Sequence, residues 1–123
     1  MTTLSIRKVG GPIFADQIHV ASNYWTQLKG LIGTKHLTPD EGLWFPGTNS
    51  IHMWFMSIPI DALFLGKPDA QGYRAVIGLR HTMRPWRNIV WLMRGANGCL
   101  ELAAGTLAAT GLQKGDLVSL AEI

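Results

Sequence analysis

The chain has 123 residues, of which 47% are hydrophobic and 15% are charged, and its formal net charge is +3 at pH 7. This length predicts one domain, residues 1–123, with a single core, and the composition excludes a disordered chain. The charge is too small to require a polyanionic partner. Fourteen glycines and six prolines favour many turns and short elements over a helical bundle.

The first third of the chain predicts two strands followed by a helix. The strands, Ile6–Val9 and Ile13–Val20, flank a turn at Gly10-Gly11-Pro12. A helix is predicted over about 22–33, because apolar residues recur there with the helical period and Gly33 is a natural stop.

From Gly42 onward the apolar pattern becomes strand-like. The strands predicted after this point are Leu43–Phe45, Ile51–Met56, Ile60–Leu65, Tyr73–Leu79, Ile89–Met93, Cys99–Leu102 and Leu117–Leu120. Residues 82–88 are predicted to be irregular around Pro85, and a short second helix is predicted at about 105–111. The predicted fold class is therefore α+β and mainly β: a compact, barrel-like, mostly antiparallel sheet.

The segment 51–65 is the most apolar part of the chain, yet it carries His52 and Asp61. His52 is either a half-buried histidine bonded to backbone or a pocket-wall residue that contacts a ligand or moves a proton. Asp61 follows the bend at Pro59, where it either accepts backbone N–H groups locally or has a functional role, to orient His52 or to bind a polar ligand. In a pocket, Trp54 and Met56 would supply apolar contact area.

Strand alternation places Glu101 and Cys99 on one face and the flanking Leu100 and Leu102 on the other. Glu101 is therefore predicted to be either solvated on an exposed face or paired with an arginine across a cleft. Cys99 is predicted to be a small buried side chain, since nothing around it favours a thiolate.

Between Asp69 and Glu101 the chain has no acidic residue but carries Arg74, Arg80, Arg84, Arg87 and Arg94. The stretch 74–94 is either a solvated surface or an anion-binding face, in which Arg87 is a candidate ligand contact. A nucleic-acid partner is not favoured, because tryptophans among apolar neighbours are more often core than base-stacking platforms.

Several classes of site and location are not predicted. No histidine pair has metal-ligand spacing, and no cofactor fingerprint is present, so neither a metal nor a cofactor is expected. Cys99 is the only cysteine, which excludes an internal disulfide and fits a reducing compartment. No secretory signal and no apolar run of about eighteen residues occurs, so we expect a cytoplasmic protein without membrane insertion.

An ordered set of short motifs gives the chain a family resemblance. The motifs are Gly30-Leu31-Ile32-Gly33, Glu41-Gly42-Leu43-Trp44-Phe45, Ile51-His52-Met53-Trp54-Phe55-Met56, Ile58-Pro59-Ile60-Asp61, Leu100-Glu101-Leu102 and Gly111 to Asp116. The chain resembles the domain of unknown function 192 family, small bacterial and archaeal proteins with no established activity. The resemblance implies a compact, mostly β barrel whose recurring polar positions correspond to Asp61, Glu101, Thr106 and Asp116.

Three functions remain open from the sequence. The first is a module that binds a small molecule or a partner in a pocket lined by the 51–65 segment. The second is an enzyme that uses His52 as general acid or base, with Asp61 or Glu101 as its partner. The third is a dimeric or RNA-contacting protein that uses the arginine-rich stretch 74–94.

Overall fold

A computed structural model of the chain describes residues 3–20, 37–52, 59–84, 89–90 and 92–123. The described residues form nine strands and one helix. In chain order these elements are β1 (Thr3–Lys8), β2 (Ile13–Val20), β3 (Glu41–Pro46), β4 (Ile51–His52), β5 (Ile60–Leu65), β6 (Arg74–Met83), β7 (Ile89–Val90), β8 (Gly98–Ala103), α1 (Thr106–Thr110) and β9 (Leu117–Glu122).

Seven of the strands close into a barrel in the order β1-β2-β3-β8-β5-β6-β9. The ring closes because β9 pairs with β1 as well as with β6. The pair β2–β3 is parallel, and the other pairs in the ring are antiparallel. The remaining two strands, β4 and β7, form a separate antiparallel pair. Closure leaves the ring without an edge strand on which another chain could add.

Side-chain alternation along the strands builds an inner core. The strand residues whose side chains are buried inside the barrel are Leu4, Ile6, Ala15, Ile18, Trp44, Leu63, Leu65, Val76, Leu100, Leu102 and Val118. Helix α1 follows β8 at one end of the barrel, and its Leu107 packs into this core together with Leu112. Fully burying an aliphatic side chain contributes roughly 1.5–3 kcal/mol, so this core is a main source of stability.

The opposite face of four adjacent strands carries a second apolar cluster, which we call the outer wall. Its buried residues are Leu43, Phe45, Ile60, Ala62, Phe64, Met83 and Cys99, from β3, β5, β6 and β8. Leu37, Met93 and Ala96 pack against it. Strands β5 and β8 are therefore covered on both faces, which explains why they are buried at every position.

The observed elements confirm the predicted class, a mainly β, barrel-like and mostly antiparallel fold. The helix Thr106–Thr110 lies within the predicted range 105–111. The predicted two-helix arrangement is not confirmed, because the described residues hold one helix and the longer helix at 22–33 lies outside them.

Two strand predictions need correction. Strand β6 extends to Met83, so Thr82 and Met83 are not irregular as predicted for 82–88. The extension is stabilised at Thr82, a non-glycine residue at φ 51°, whose N–H donates to Asp61 Oδ1 at 2.7 Å. In the region 89–93, the described strand is limited to Ile89–Val90.

Gly98 is required where β8 passes the ring of Trp44. A Cβ atom at this position would overlap three carbon atoms of the indole ring, which is itself buried in the inner core. We expect Gly98→Ala to lower the free energy of unfolding by about 3 kcal/mol, since overpacking forces side chains or backbone to shift. Urea unfolding followed by circular dichroism measures this loss.

Gly47→Ala provides the matched control for that substitution. Gly47 has a φ of 75° but no atom within 4 Å of a built Cβ, so its alanine variant carries backbone strain without overlap. We expect a loss of about 1 kcal/mol there. Equal losses in the two variants would contradict the proposed overlap with Trp44.

Candidate functional site

Glu101 lies on the outer wall at the centre of β8. Its neighbours in the flanking strands are Leu43 of β3 and Ala62 of β5, both of which belong to the apolar cluster of that wall. The predicted face is therefore confirmed for Glu101, as it is for Cys99, which is buried in the same cluster.

The environment of Glu101 differs from the solvated alternative: the residue is 5% exposed, and among the described residues its Oε2 atom has no hydrogen-bond partner. Pairing with an arginine stays a prediction, because Arg87 lies outside the described residues. The physical reason is that the outer wall is covered rather than open to solvent, as the packing of Leu37 and Met93 shows. A buried polar atom without a partner costs roughly 1–3 kcal/mol, which makes this carboxyl group an unusual feature of the wall.

Burial also determines the charge of Glu101. Desolvation raises the pKa of its carboxyl group from 4.5 to about 8. At neutral pH the group is therefore mostly an uncharged carboxylic acid, which has one O–H donor and retains acceptor capacity. An uncharged acid of this kind can donate a hydrogen bond to a ligand or a proton to a reacting group.

Cys99 lies two residues before Glu101 on the same strand and face. Burial raises the pKa of its thiol well above the usual value, and Glu101, once it is ionised, raises it further. The thiol is fully protonated at neutral pH and is not an activated nucleophile. Cys99 is thus the small buried side chain that was predicted.

His19 is a half-buried polar residue of this region, and sequence reasoning did not select it for a ligand site. It lies in β2, where Ile18 and Val20 pack with the inner core, so the side chain of His19 points to the opposite face. The parallel pairing of β2 with β3 places His19 beside Leu43, whose other neighbour is Glu101. Its Nδ1 atom is buried and has no partner among the described residues.

These pairings align His19, Leu43, Glu101 and Ala62 in one row across four strands. Neighbouring strands lie about 4.8 Å apart, so the Cα atoms of His19 and Glu101 are about 10 Å apart. In this row the buried Glu101 and the half-buried His19 therefore flank one leucine. The apolar residues on either side of His19 in the sequence could have indicated which face of the sheet it lies on. They could not have indicated that it lies beside Leu43 of the neighbouring strand.

Asp61 lies on the other side of the same wall. It pairs with Leu102, an inner-core residue, one position away from the pairing of Ala62 with Glu101. The two carboxyl groups consequently point to opposite faces of the sheet and do not meet in one cavity.

The carboxylate of Asp61 is engaged by three backbone N–H donors. Oδ1 accepts from Thr82 at 2.7 Å, while Oδ2 accepts from Gly105 at 3.0 Å and from Leu107 at 2.9 Å. The prediction that Asp61 accepts backbone N–H groups is confirmed, but its partners lie on β6 and at the start of α1 rather than at the local bend. Asp61 thus ties the end of β6 and the start of α1 to β5.

Of the other predicted site residues, only His52 lies in a described segment. His52 ends strand β4, where it pairs with Ile89. Trp54, Met56 and Arg87 lie outside the described residues. Their roles remain predictions.

One arginine of the stretch 74–94 has a structural role. The guanidinium group of Arg74 lies 5.0 Å from the centroid of the Trp44 ring and donates to the Gly66 carbonyl at 2.9 Å. Burial lowers the pKa of Arg74, but a guanidinium stays charged at neutral pH. Arg80 and Arg94 are exposed, as a solvated surface predicts.

In the described part of the chain, no three side chains among His, Cys, Asp and Glu converge in a way that could hold a metal ion. No helix in that part has the length and apolar character needed to cross a membrane.

Fold and site together define a closed seven-stranded β-barrel protein with a buried, uncharged carboxyl group on its outer wall. The chain belongs to the domain of unknown function 192 (DUF192) family, whose model, described as "Uncharacterized ACR", matches residues 6–120. The family resemblance seen in the sequence is therefore confirmed. A search of curated proteins finds no match.

Two crystal structures share the fold. One, from Sinorhizobium meliloti 1021 and provisionally named a transcription regulator, is 22% identical with a TM-score of 0.72, over 98% of this chain and 92% of that one. The other is a protein of unknown function from Novosphingobium aromaticivorans DSM 12444. It is 24% identical with a TM-score of 0.73, over 95% of this chain and 83% of that one. At these identities the likeness concerns the fold.

Proposed function

We propose that the protein is a small-molecule binding module whose ligand contacts the outer wall at Glu101 and His19. The observation that carries the proposal is the buried Oε2 atom of Glu101, which has no hydrogen-bond partner in the part of the chain that the structure describes. Folded proteins satisfy nearly all buried polar groups, so an unsatisfied one in an apolar wall is a candidate for a contact made by a ligand.

The surroundings of Glu101 favour a ligand that is largely apolar. Leu43 and Ala62 flank the carboxyl group, and Phe45 and Phe64 belong to the same cluster. The wall therefore supplies apolar area, and its two polar groups lie about 10 Å apart at the Cα atoms. A ligand with a hydrogen-bond acceptor for the acid and a second polar group for the imidazole matches this arrangement.

The second half of the segment 51–65 supports the predicted location of the pocket, since Ile60, Ala62 and Phe64 belong to the outer wall. We retain Trp54, Met56 and Arg87 as proposed ligand contacts and His52 as a proposed polar group of the same pocket. Asp61 is not included, because its three N–H contacts lie on the inner side of the sheet.

A thermal-shift screen tests the binding proposal. The probes are small metabolites grouped as carboxylates, amines and uncharged amphipathic compounds. We expect an uncharged amphipathic compound to raise the melting temperature of the wild-type protein but not that of Glu101→Leu, which keeps the apolar volume and removes the carboxyl group.

Glu122→Leu is the matched control, because Glu122 lies on a strand but is exposed. It should keep the wild-type response to the ligand. A ligand that stabilises Glu101→Leu as much as the wild-type protein would contradict a binding role for Glu101.

A second candidate function is an enzyme in which Glu101 acts as general acid. The pKa of about 8 favours this role, since an acid that is protonated at neutral pH can donate its proton during a reaction. In the sequence-based version His52 is the acid or base and Asp61 or Glu101 is its partner. Because Asp61 points to the inner face of the sheet, Glu101 is the favoured partner of His52.

Mass spectrometry of any bound compound after incubation separates the two functions. An enzyme converts the compound in the wild-type protein, and Glu101→Gln binds it without conversion. Recovery of the unchanged compound from the wild-type protein would contradict the enzymatic proposal. The binding module would then remain as the proposed function.

A further inference from the structure

A groove of about 540 Å³ lies at the α1 end of the barrel, away from the row of Glu101 and His19. One side is formed by the turn between β1 and β2, and the other by the segment that joins β8 to α1. Its volume is in the range of small-molecule sites. Its apolar lining residues are Pro12, Phe14, Pro39, Ala104 and Ala109.

The charge of this groove has one sign. Among the described residues that line it, Lys8 is the one charged residue and none is acidic. The ammonium group of Lys8 is 3.5 Å from Asp116 Oδ2, and 52% of the lysine side chain is exposed. An exposed ion pair of this kind is weak, so Lys8 can exchange or share its partner with an incoming anion.

One lining residue of the groove has a buried hydroxyl group that makes no hydrogen bond among the described residues. Thr106 lines the groove and is 8% exposed, and its Oγ1 atom has no partner among the described residues. The neighbouring Thr110 differs, because its hydroxyl donates to the Leu107 carbonyl and accepts from the N–H of Leu112. Rotation of the Thr106 side chain would give a ligand a polar contact that the folded chain itself does not use.

Hydrogen bonds hold the sides of the groove in place. Asp61 fixes the backbone of Gly105 and Leu107, and the N–H of Gly11 donates to the Lys8 carbonyl at 2.8 Å. The turn that carries Pro39 is fixed by Glu41, which accepts from the N–H and the hydroxyl of Thr38. A site whose sides are already ordered loses little conformational entropy when a ligand binds.

We propose that this groove binds a small apolar carboxylate, with the charged group at Lys8 and Thr106 and the hydrocarbon part against Phe14 and the flanking prolines. The lining is apolar enough to exclude a polyanion as the preferred ligand. The single lysine selects a carboxylate over an amine of the same size.

Amide chemical shifts in a nuclear magnetic resonance titration test the proposal. The probes are octanoate, octanamide and octylamine, which share a hydrocarbon chain and differ in charge. We expect octanoate to shift the amides of Gly11, Gly105, Thr106 and Ala109, and to bind more tightly than the amide and the amine. Equal binding of octylamine, or shifts confined to the outer wall, would overturn the proposal.

Two substitutions of opposite effect test the role of the charge. Lys8→Met should weaken octanoate binding about fivefold and leave octanamide binding unchanged, whereas Asp116→Asn should strengthen octanoate binding because it frees the ammonium group. Lys67→Met is the control, since Lys67 is exposed and does not line the groove. An unchanged octanoate affinity in Lys8→Met would overturn the assignment of the charged group.

The groove has one other plausible class of occupant, a second copy of this chain. A second copy in the groove would make the same four amides shift with protein concentration in the absence of any probe, and light scattering would show a dimer. That result would overturn the proposed ligand. A monomer whose amides shift with octanoate supports it.

Discussion

Alanine in place of Asp61 is expected to lower the free energy of unfolding by about 4 kcal/mol, because three charge-assisted hydrogen bonds of roughly 1.5 kcal/mol or more are lost together. The donors are the backbone N–H groups of Thr82, Gly105 and Leu107, and Asp61 itself is fully buried. Water cannot replace a buried acceptor without opening the α1 end of the barrel. Urea unfolding of the two proteins measures the difference.

Asp69→Ala is the control for this prediction. Asp69 also accepts backbone N–H bonds, from Gln71 and Tyr73 at 2.9 Å, but it does so in an exposed turn. Water can take over those bonds, so we expect a loss of about 1 kcal/mol or less. Similar losses in the two alanine variants would show that Asp61 does not hold the α1 end of the barrel together.

Glu101→Gln is expected to change the pH dependence of stability. The folded protein raises the pKa of this carboxyl group from 4.5 to about 8, so the unfolded chain releases the proton first as the pH rises. Stability of the wild-type protein therefore falls between pH 4.5 and pH 8, by up to about 1.4 kcal/mol per pH unit, and the contribution is constant outside that window.

Glutamine is uncharged throughout this range, so the variant lacks that part of the slope. We expect the variant to gain stability relative to the wild-type protein from pH 5 to pH 8, measured by urea unfolding at each pH. Glu122→Gln should retain the wild-type slope, because Glu122 is exposed. Parallel stability curves for Glu101→Gln and the wild-type protein would contradict the burial of an uncharged acid.

The strand pattern of the sequence contains enough information for the barrel class and for the faces of individual strands. Alternation around Leu100 and Leu102 correctly places Glu101 and Cys99 on the opposite face. This works because the side-chain period of a strand is two residues, which is a local property.

Pairing register is not a local property, and the errors in the predicted site follow from it. Asp61 pairs with Leu102 while Ala62 pairs with Glu101, so a shift of one residue separates the two carboxyl groups by the thickness of the sheet. The position of His19 beside Leu43 depends on a parallel pairing whose connection spans residues 21–40. Neither pairing can be read from apolar periodicity alone.

Long-range contacts also explain why the roles of single residues were missed. The three N–H donors of Asp61 lie 21, 44 and 46 residues further along the chain. The burial of Glu101 depends on residues such as Leu37 and Met93, which cover the outer wall from distant parts of the chain. The groove at Lys8 likewise combines three separate segments.

The protonation state of Glu101 is the property on which the proposed function of the outer wall depends. A titration of the side-chain carboxyl carbons by nuclear magnetic resonance, with Glu101→Gln to assign the signal, measures it directly. The Glu101 signal is predicted to remain that of a protonated acid through neutral pH and to titrate near pH 8. A signal that titrates near pH 4.5, like that of a solvated glutamate, would contradict the account of the outer wall as a site built around a buried, uncharged acid.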